Sequence, residues 1–194
     1  MSDVLIEKKA KSRRTILIVA MVCFAPFILA RLMHYYWQPS GRVNYGDLIS
    51  GVMMPKDSAP LLDGKSFDFN KLYGKWVYVT VDSAQCDAYC ENKLWKIRQV
   101  RKTQGKYPER MERVWLISDD APVRASLLKE YDGMWMARVK AGPLLSIFPV
   151  ETQLRDGIYL VDPLGNIVLR YPKDADPTRM KKDITRLLSV SRIG

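Results

Sequence analysis

Histidine is almost missing from this chain. His34 is the single one among 194 residues, and none follows it. A histidine-based nucleophilic triad is therefore excluded from everything downstream. Cysteine is scarce as well, with Cys23, Cys86 and Cys90 the three present. There is no Gly-rich loop of the kind that cradles phosphate, no internal repeat and no low-complexity segment. Residues 16–30 carry no charge, and no A-x-A pattern closes that apolar run. A cleaved signal peptide lacks its processing site here, so a retained anchor is expected. The net charge of +10 has no concentrated patch behind it. Residues 1–37 account for +4, and the remaining +6 is dispersed, as in 93–102, 110–113 and 181–186. No nucleic-acid partner is expected from that pattern. A solvated face, or loose attraction to an acidic membrane or partner surface, is.

What is present begins with the anchor. Lys8, Lys9, Lys11, Arg13 and Arg14 precede an apolar run that starts at Thr15. The run is slightly short of the ~20 residues a spanning helix needs. Arg31 can snorkel, and Tyr35, Tyr36 and Trp37 form an interfacial belt that completes it. The basic cluster before the span predicts a cytoplasmic N-terminus and export of everything after it. This places a single-pass protein in the inner (cytoplasmic) membrane, its C-terminal domain on the periplasmic side. Cys23 lies in the span as a small apolar residue, and His34 sits at the interface.

The chemistry concentrates in residues 76–98, WVYVTVDSAQCDAYCENKLWKIR. A β-branched and aromatic run, 76–81, reads as a buried strand. A short polar break follows, then Cys86 and Cys90, then a helical pattern with Leu94, Ile97 and Val100 spaced three apart. If the helix begins near Cys86, both sulfurs share the face that packs on the sheet. Their Cα atoms would then lie roughly 6 Å apart, within reach of a disulfide. The helix N-terminus and Lys93 favour thiolate, while Asp87 and Glu91 oppose it. A bridge closing only three residues gains little as a staple. In an oxidising compartment the pair reads as a working dithiol or a soft-metal clip. Cys86, nearer the mouth of the turn, is expected to be the more exposed and the attacking sulfur.

Residues 38–66 read as a linker, rich in Gly, Pro, Ser and Asp, and Phe67 and Phe69 as a short edge strand. Further strands are expected over 75–81, 113–118 and 157–161, with a hairpin partner over 167–171. Helices are expected over 91–104, over 122–131 with Pro122 in its first turn, and over 177–189. Residues 141–156 have no clear period. The order predicts a thioredoxin-like α/β domain with a mixed sheet and flanking helices, preceded by one N-terminal transmembrane helix. The divisions are a cytoplasmic tail over 1–14, the anchor over 15–37, the linker, and the thioredoxin-like domain over 67–194.

With the anchor, the stretches CDAYC at 86–90, ISDDAPVRASLLKEY at 117–131 and IYLVDPLGN at 158–166 make the chain similar to the Sco/SenC family, membrane-anchored thioredoxin-like proteins of cytochrome c oxidase assembly. The resemblance spans about residues 62–188, and the C-x-x-x-C spacing is its most specific part. It implies that Cys86 and Cys90 act as a redox pair or as ligands of Cu(I). It implies a cytochrome c oxidase subunit or a copper chaperone as partner. The family adds a histidine ligand shortly before the hairpin, and here that position holds Leu154. Met134 and Met136 are alternative thioether donors, but their spacing suits packing. The T-x-x-C of peroxidase relatives is absent, since Ser83 stands three before Cys86. Three readings follow: thiol–disulfide exchange, Cu(I) binding through the same cysteines, and a non-catalytic assembly scaffold.

Overall fold

A computed structural model describes residues 2–36, 44–150 and 153–193. The chain forms two compact units, Met1–Val43 and Asn44–Gly194. The first holds helix α1, Ser2–Tyr36. Its segment Arg13–Tyr36, 24 residues, is long and apolar enough to cross a membrane once. At 1.5 Å per residue that is about 36 Å, more than a hydrocarbon core of ~30 Å. Apolar side chains cover it all round, Leu17, Phe24 and Phe27 among them, and Pro26 is accommodated within the helix. Residues 2–14, expected as a tail, continue the same helix. Trp37 lies outside the described residues.

The second unit is a six-stranded mixed sheet in the order β1-β8-β7-β4-β5-β6. The strands are β1 (Asp47–Met53), β4 (Trp76–Asp82), β5 (Met111–Ile117), β6 (Trp135–Arg138), β7 (Ile158–Val161) and β8 (Asn166–Tyr171). β4, β5 and β6 run parallel, β7 is antiparallel to β4, and β8 and β1 follow as antiparallel neighbours. The β7–β8 turn, D-P-L-G-N, has Gly165 at φ +89°, where a side chain would be strained. A two-stranded pair, β2 (Ala59–Pro60) and β3 (Ser66–Phe67), stands apart from this sheet.

Each face of the sheet has its own core, set by the two-residue period of β4. Trp76 and Tyr78 join Leu94, Ile97, Met180, Ile184 and Leu188 on one face. That face is covered by α2 (Ala88–Lys102), α3 (Ala125–Glu130) and α5 (Pro177–Val190). Val77, Val79 and Val81 meet Phe67, Phe69, Leu72, Leu144 and Phe148 on the other. There the cover is β2–β3, a 3-10 turn at Phe69–Leu72 and the single turn α4 (Pro143–Ser146).

Three expectations need correction. Residues 44–66, read as linker, supply β1 and β2 and belong to the compact unit. Their apolar residues are interrupted by turn residues, so no period shows. The entry is pinned by Asp183 of α5, whose carboxylate accepts the Tyr45 and Gly46 N–H groups at 3.0 Å. The helix expected from Pro122 begins at Ala125. Arg138 donates to the carbonyls of Asp119 and Ala121, at 2.7 and 2.8 Å, and holds the preceding loop out of the helix. Phe69 lies in the 3-10 turn rather than in a strand.

A chain beginning at Asn44 is expected to keep the stability of the second unit, and one beginning at Phe67 to lose at least about 3 kcal/mol. Urea denaturation of the two fragments measures this. Equal stability would return residues 44–66 to the status of linker.

Candidate functional site

The parallel strands β4 and β5 end side by side, and the disulfide turn rises from the end of β4. Asp87 caps α2, its carboxylate accepting the Cys90 N–H at 3.0 Å. Cys90 therefore sits in the first helical turn, but Cys86 does not. It lies before the cap with φ +43°, an uncommon backbone conformation for any residue but glycine. Cys86 and Cys90 form a disulfide with Cα atoms 5.0 Å apart. The shared helical face that the spacing predicts is replaced by a turn that folds back onto the helix. Both sulfur residues are buried, 1% and 0% exposed, so exposure does not single out Cys86. Met134 and Met136 pack in the same core cluster.

Two clamps hold the turn from the α3 side. Asp119, just past β5, accepts the Ser83 hydroxyl at 2.6 Å and the Ala84 N–H at 3.0 Å. These bonds hold its carboxyl below the usual carboxylate range, the Ser83 hydroxyl contributing most. Arg124, at the N-terminal end of α3, donates to the Cys86 carbonyl at 2.6 Å and to Glu91 of α2.

Beneath the turn lies a buried ion pair. Lys93 Nζ is 2.7 Å from Asp82 Oδ2, with the side chains 1% and 3% exposed. Lys93 also donates to the carbonyls of Val81 and Arg155, so its three donors are all used. Burial pulls the Lys93 ammonium below the ordinary lysine value, while Asp82 acts to hold it up. Arg155 reaches Asp82 at 3.3 Å and both oxygens of Asp87 at 2.9 Å. Asp87 is depressed in consequence, chiefly by the Cys90 N–H and then by Arg155. Tyr89, between the cysteines, donates its hydroxyl to the Asp156 and Lys173 carbonyls at 3.1 and 3.0 Å. Lys93, Arg155 and Lys173 face its ring at 5.1–5.5 Å. Burial, with Asp156 next, pushes the Tyr89 phenol above its ordinary value.

These partners were not apparent in the sequence. Lys93 falls three after Cys90 on the apolar stripe of α2, and a charge in such a stripe implies a buried partner. Lys93, Lys96 and Arg113 are buried rather than solvated, against the reading of the dispersed charge. Asp119, Arg124 and Arg155 come from distant segments with no local pattern to mark them.

A family model for the transmembrane-like, thioredoxin-like C-terminal domain matches residues 76–191, more than half of the chain. The chain belongs to this family. No curated protein matches the chain. Solved structures similar to this transmembrane-like, thioredoxin-like protein share its fold at low identity. The copper-bound Sco1 of yeast has 18% identity and a TM-score of 0.56, over 78% of this chain and 96% of that one. The copper-bound ScoI of Arabidopsis thaliana has 17% identity and a TM-score of 0.55, over 72% and 100%. The thioredoxin domain of a thiol-disulfide oxidoreductase from Bacteroides vulgatus has 19% identity and a TM-score of 0.52, over 73% and 99%. The family and these likenesses establish a thioredoxin-like fold, one that the Sco structures share.

Leu154 begins the 3-10 turn Leu154–Asp156 and packs against the core of the opposite sheet face from Cys86 and Cys90. Its neighbour Arg155 extends its side chain to Asp87 in the cysteine loop, and the Asp156 carbonyl accepts from Tyr89 there. A guanidinium donates hydrogen bonds and offers no lone pair to a metal. Among the described residues, no group of three His, Cys, Asp or Glu side chains could hold a metal ion.

Lys93→Met is expected to cost about 3–5 kcal/mol by removing the nearest cation from the buried Asp82 and leaving it to Arg155 at 3.3 Å. Lys93→Met with Asp82→Leu should recover most of it, as read by urea denaturation. An additive double variant would mean that the pair is uncoupled. Asp119 should stabilise the fold above the unfolded carboxylate value of about 3.9 and lose that effect as pH falls through its lower folded value. Asp119→Asn should therefore cost about 1–2 kcal/mol at neutral pH and flatten the acid limb of a stability–pH profile.

Proposed function

We propose that this protein is a membrane-anchored thiol–disulfide oxidoreductase serving cytochrome c oxidase assembly. One observation carries the reading: Cys86 and Cys90 are already joined at a strand-to-helix turn, with Cys90 in the first turn of α2. A bridge closing so short a loop does little as a staple. The proposed placement is a single pass through the inner membrane with residues 44–194 exported, from the basic cluster ahead of the span. The proposed partners are a cytochrome c oxidase subunit with oxidised cysteines or a copper chaperone.

In the reduced protein the Cys86 thiolate attacks a target disulfide. One target sulfur joins Cys86 and the other leaves as a thiolate. Cys90 then attacks the Cys86 sulfur and releases the second target sulfur. Two electrons pass to the target, and the Cys86–Cys90 disulfide is left. A thiol donor on the same side of the membrane must reduce it again. Cys86 is assigned the attack because it lies outside α2 and moves without unwinding a helical turn. Since both cysteines are buried, exchange requires the Arg124 and Asp119 clamps to open.

A second reading, Cu(I) carried as cargo by the two sulfurs, is favoured by the copper-bound Sco structures with this fold. Two thiolates suit a soft ion, but among the described residues no third His, Asp or Glu joins them. A scaffold without chemistry is the third reading. The deciding experiment uses the full chain in detergent and in membranes. Cys90→Ser should accumulate a mixed disulfide with its target, and Cys86→Ser should not. The reduced wild type should hold no tight equimolar Cu(I) against a competing chelator, and Leu154→His should leave that unchanged. Tight binding lost in Cys86→Ser would make the protein a copper carrier. Full oxidase maturation in the double serine variant would leave the scaffold.

A further inference from the structure

Helix α5 divides its residues cleanly. Met180, Ile184 and Leu188 face the core. Its acidic residue, Asp183, also faces inward, where it holds the Tyr45 and Gly46 N–H groups. The exposed face is left with Arg179, Lys181, Lys182 and Arg186 and no acid. Arg179, Lys182 and Arg186 follow the spacing that lines up one stripe of a helix. Val190 and Ile193 are exposed where the helix ends, 73% and 48%. Asp174 and Asp176 are exposed at the other end, and Asp176 is engaged in capping the helix.

This face is also where the chain enters the domain. Asp183 binds Tyr45, and the Arg179 guanidinium lies 3.9 Å from the centroid of the Tyr45 ring. Tyr45 follows Tyr36, the last residue of α1, by nine residues, which reach at most about 30 Å when fully extended. A short tether keeps the helix that binds its end at high local concentration near the bilayer. Basic side chains within a Debye length of anionic headgroups are attracted to them, and exposed apolar residues beside them suit the interface.

We propose that the basic face of α5 is a membrane-docking surface that binds anionic lipid headgroups next to the protein's own anchor. Docking fixes which side of the domain faces the bilayer. The surface rests on α1 spanning the membrane and is independent of the chemistry at Cys86 and Cys90.

The test uses the full chain reconstituted into phosphatidylcholine vesicles with or without phosphatidylglycerol. Acylation rates of Lys181 and Lys182 are read by mass spectrometry, with Lys129 of α3 as the reference. Lys181 and Lys182 should react about fivefold or more slowly in the anionic vesicles, and high salt should erase the difference. Lys129 should not change. Arg179→Glu with Arg186→Glu should restore fast labelling. Equal rates in both vesicles would overturn the proposal. Protection that appears only when an acidic protein is added would overturn it in favour of a protein partner. Release of the chain by an alkaline carbonate wash would show that the anchor itself has failed and would take this inference with it.

Discussion

Lys93 and Asp82 place two full charges where water does not reach them, and the surroundings of the disulfide follow from how that cost is met. Each charge would lose several kcal/mol of hydration if left alone. The three donors of Lys93 are satisfied by Asp82, the Val81 carbonyl and the Arg155 carbonyl. Asp82 in turn takes the Ser83 N–H and the Arg155 guanidinium. The last residue of β4, the second turn of α2 and the loop before β7 are thus tied at one point. No one of the three can shift without exposing an unmatched charge. The cysteine turn is built on that fixed base, and its own attachments, Asp119, Arg124 and Arg155, come from loops whose positions the base and the sheet decide.

The arrangement separates what is rigid from what can move. Cys90 is locked by the helix, the Asp87 cap and the core. Cys86 is held by its backbone turn to Ser83, by Arg124 and by the bond to Cys90. Arg124 and Glu91 are exposed enough for solvent to weaken their pairing. Opening on this side costs far less than disturbing Lys93 and Asp82. The site is therefore stiff beneath the sulfurs and loose above them, which suits the exchange proposed for the pair.

Much of this was legible in the residues, and the boundary of legibility is physical. Strand β4, helix α2, the β7–β8 hairpin and helix α5 announce themselves by period, and the structure has them within a few residues. The cysteine pair was visible from its spacing and its place after a buried strand. The exact turn was not, because the Asp87 cap moves the helix start past Cys86. β1 was invisible because its ladder is interrupted by a bulge and its partner, β8, is more than a hundred residues away. Leu154 shows the same limit from the other side. Counting along the chain puts it where a ligand would stand, but a 3-10 turn sends it into the opposite core and brings Arg155 forward. Contacts made across the fold, rather than along the chain, decide such positions.

The two edges of the sheet bear on behaviour in a crowded bilayer. A tethered domain meets its own copies in two dimensions, where an open strand would find a second one easily. On one edge, the Leu61–Ala137 bridge and the bond from the Leu62 N–H to the Met136 carbonyl cover part of β6. On the other, β1 changes register between Leu48 and Val52, with Gly51 at φ +22°. A bulge breaks the even row of backbone donors and acceptors that another strand would need for pairing. Neither margin offers a long flat template, so tethered copies can crowd at a membrane surface without one sheet pairing with the next.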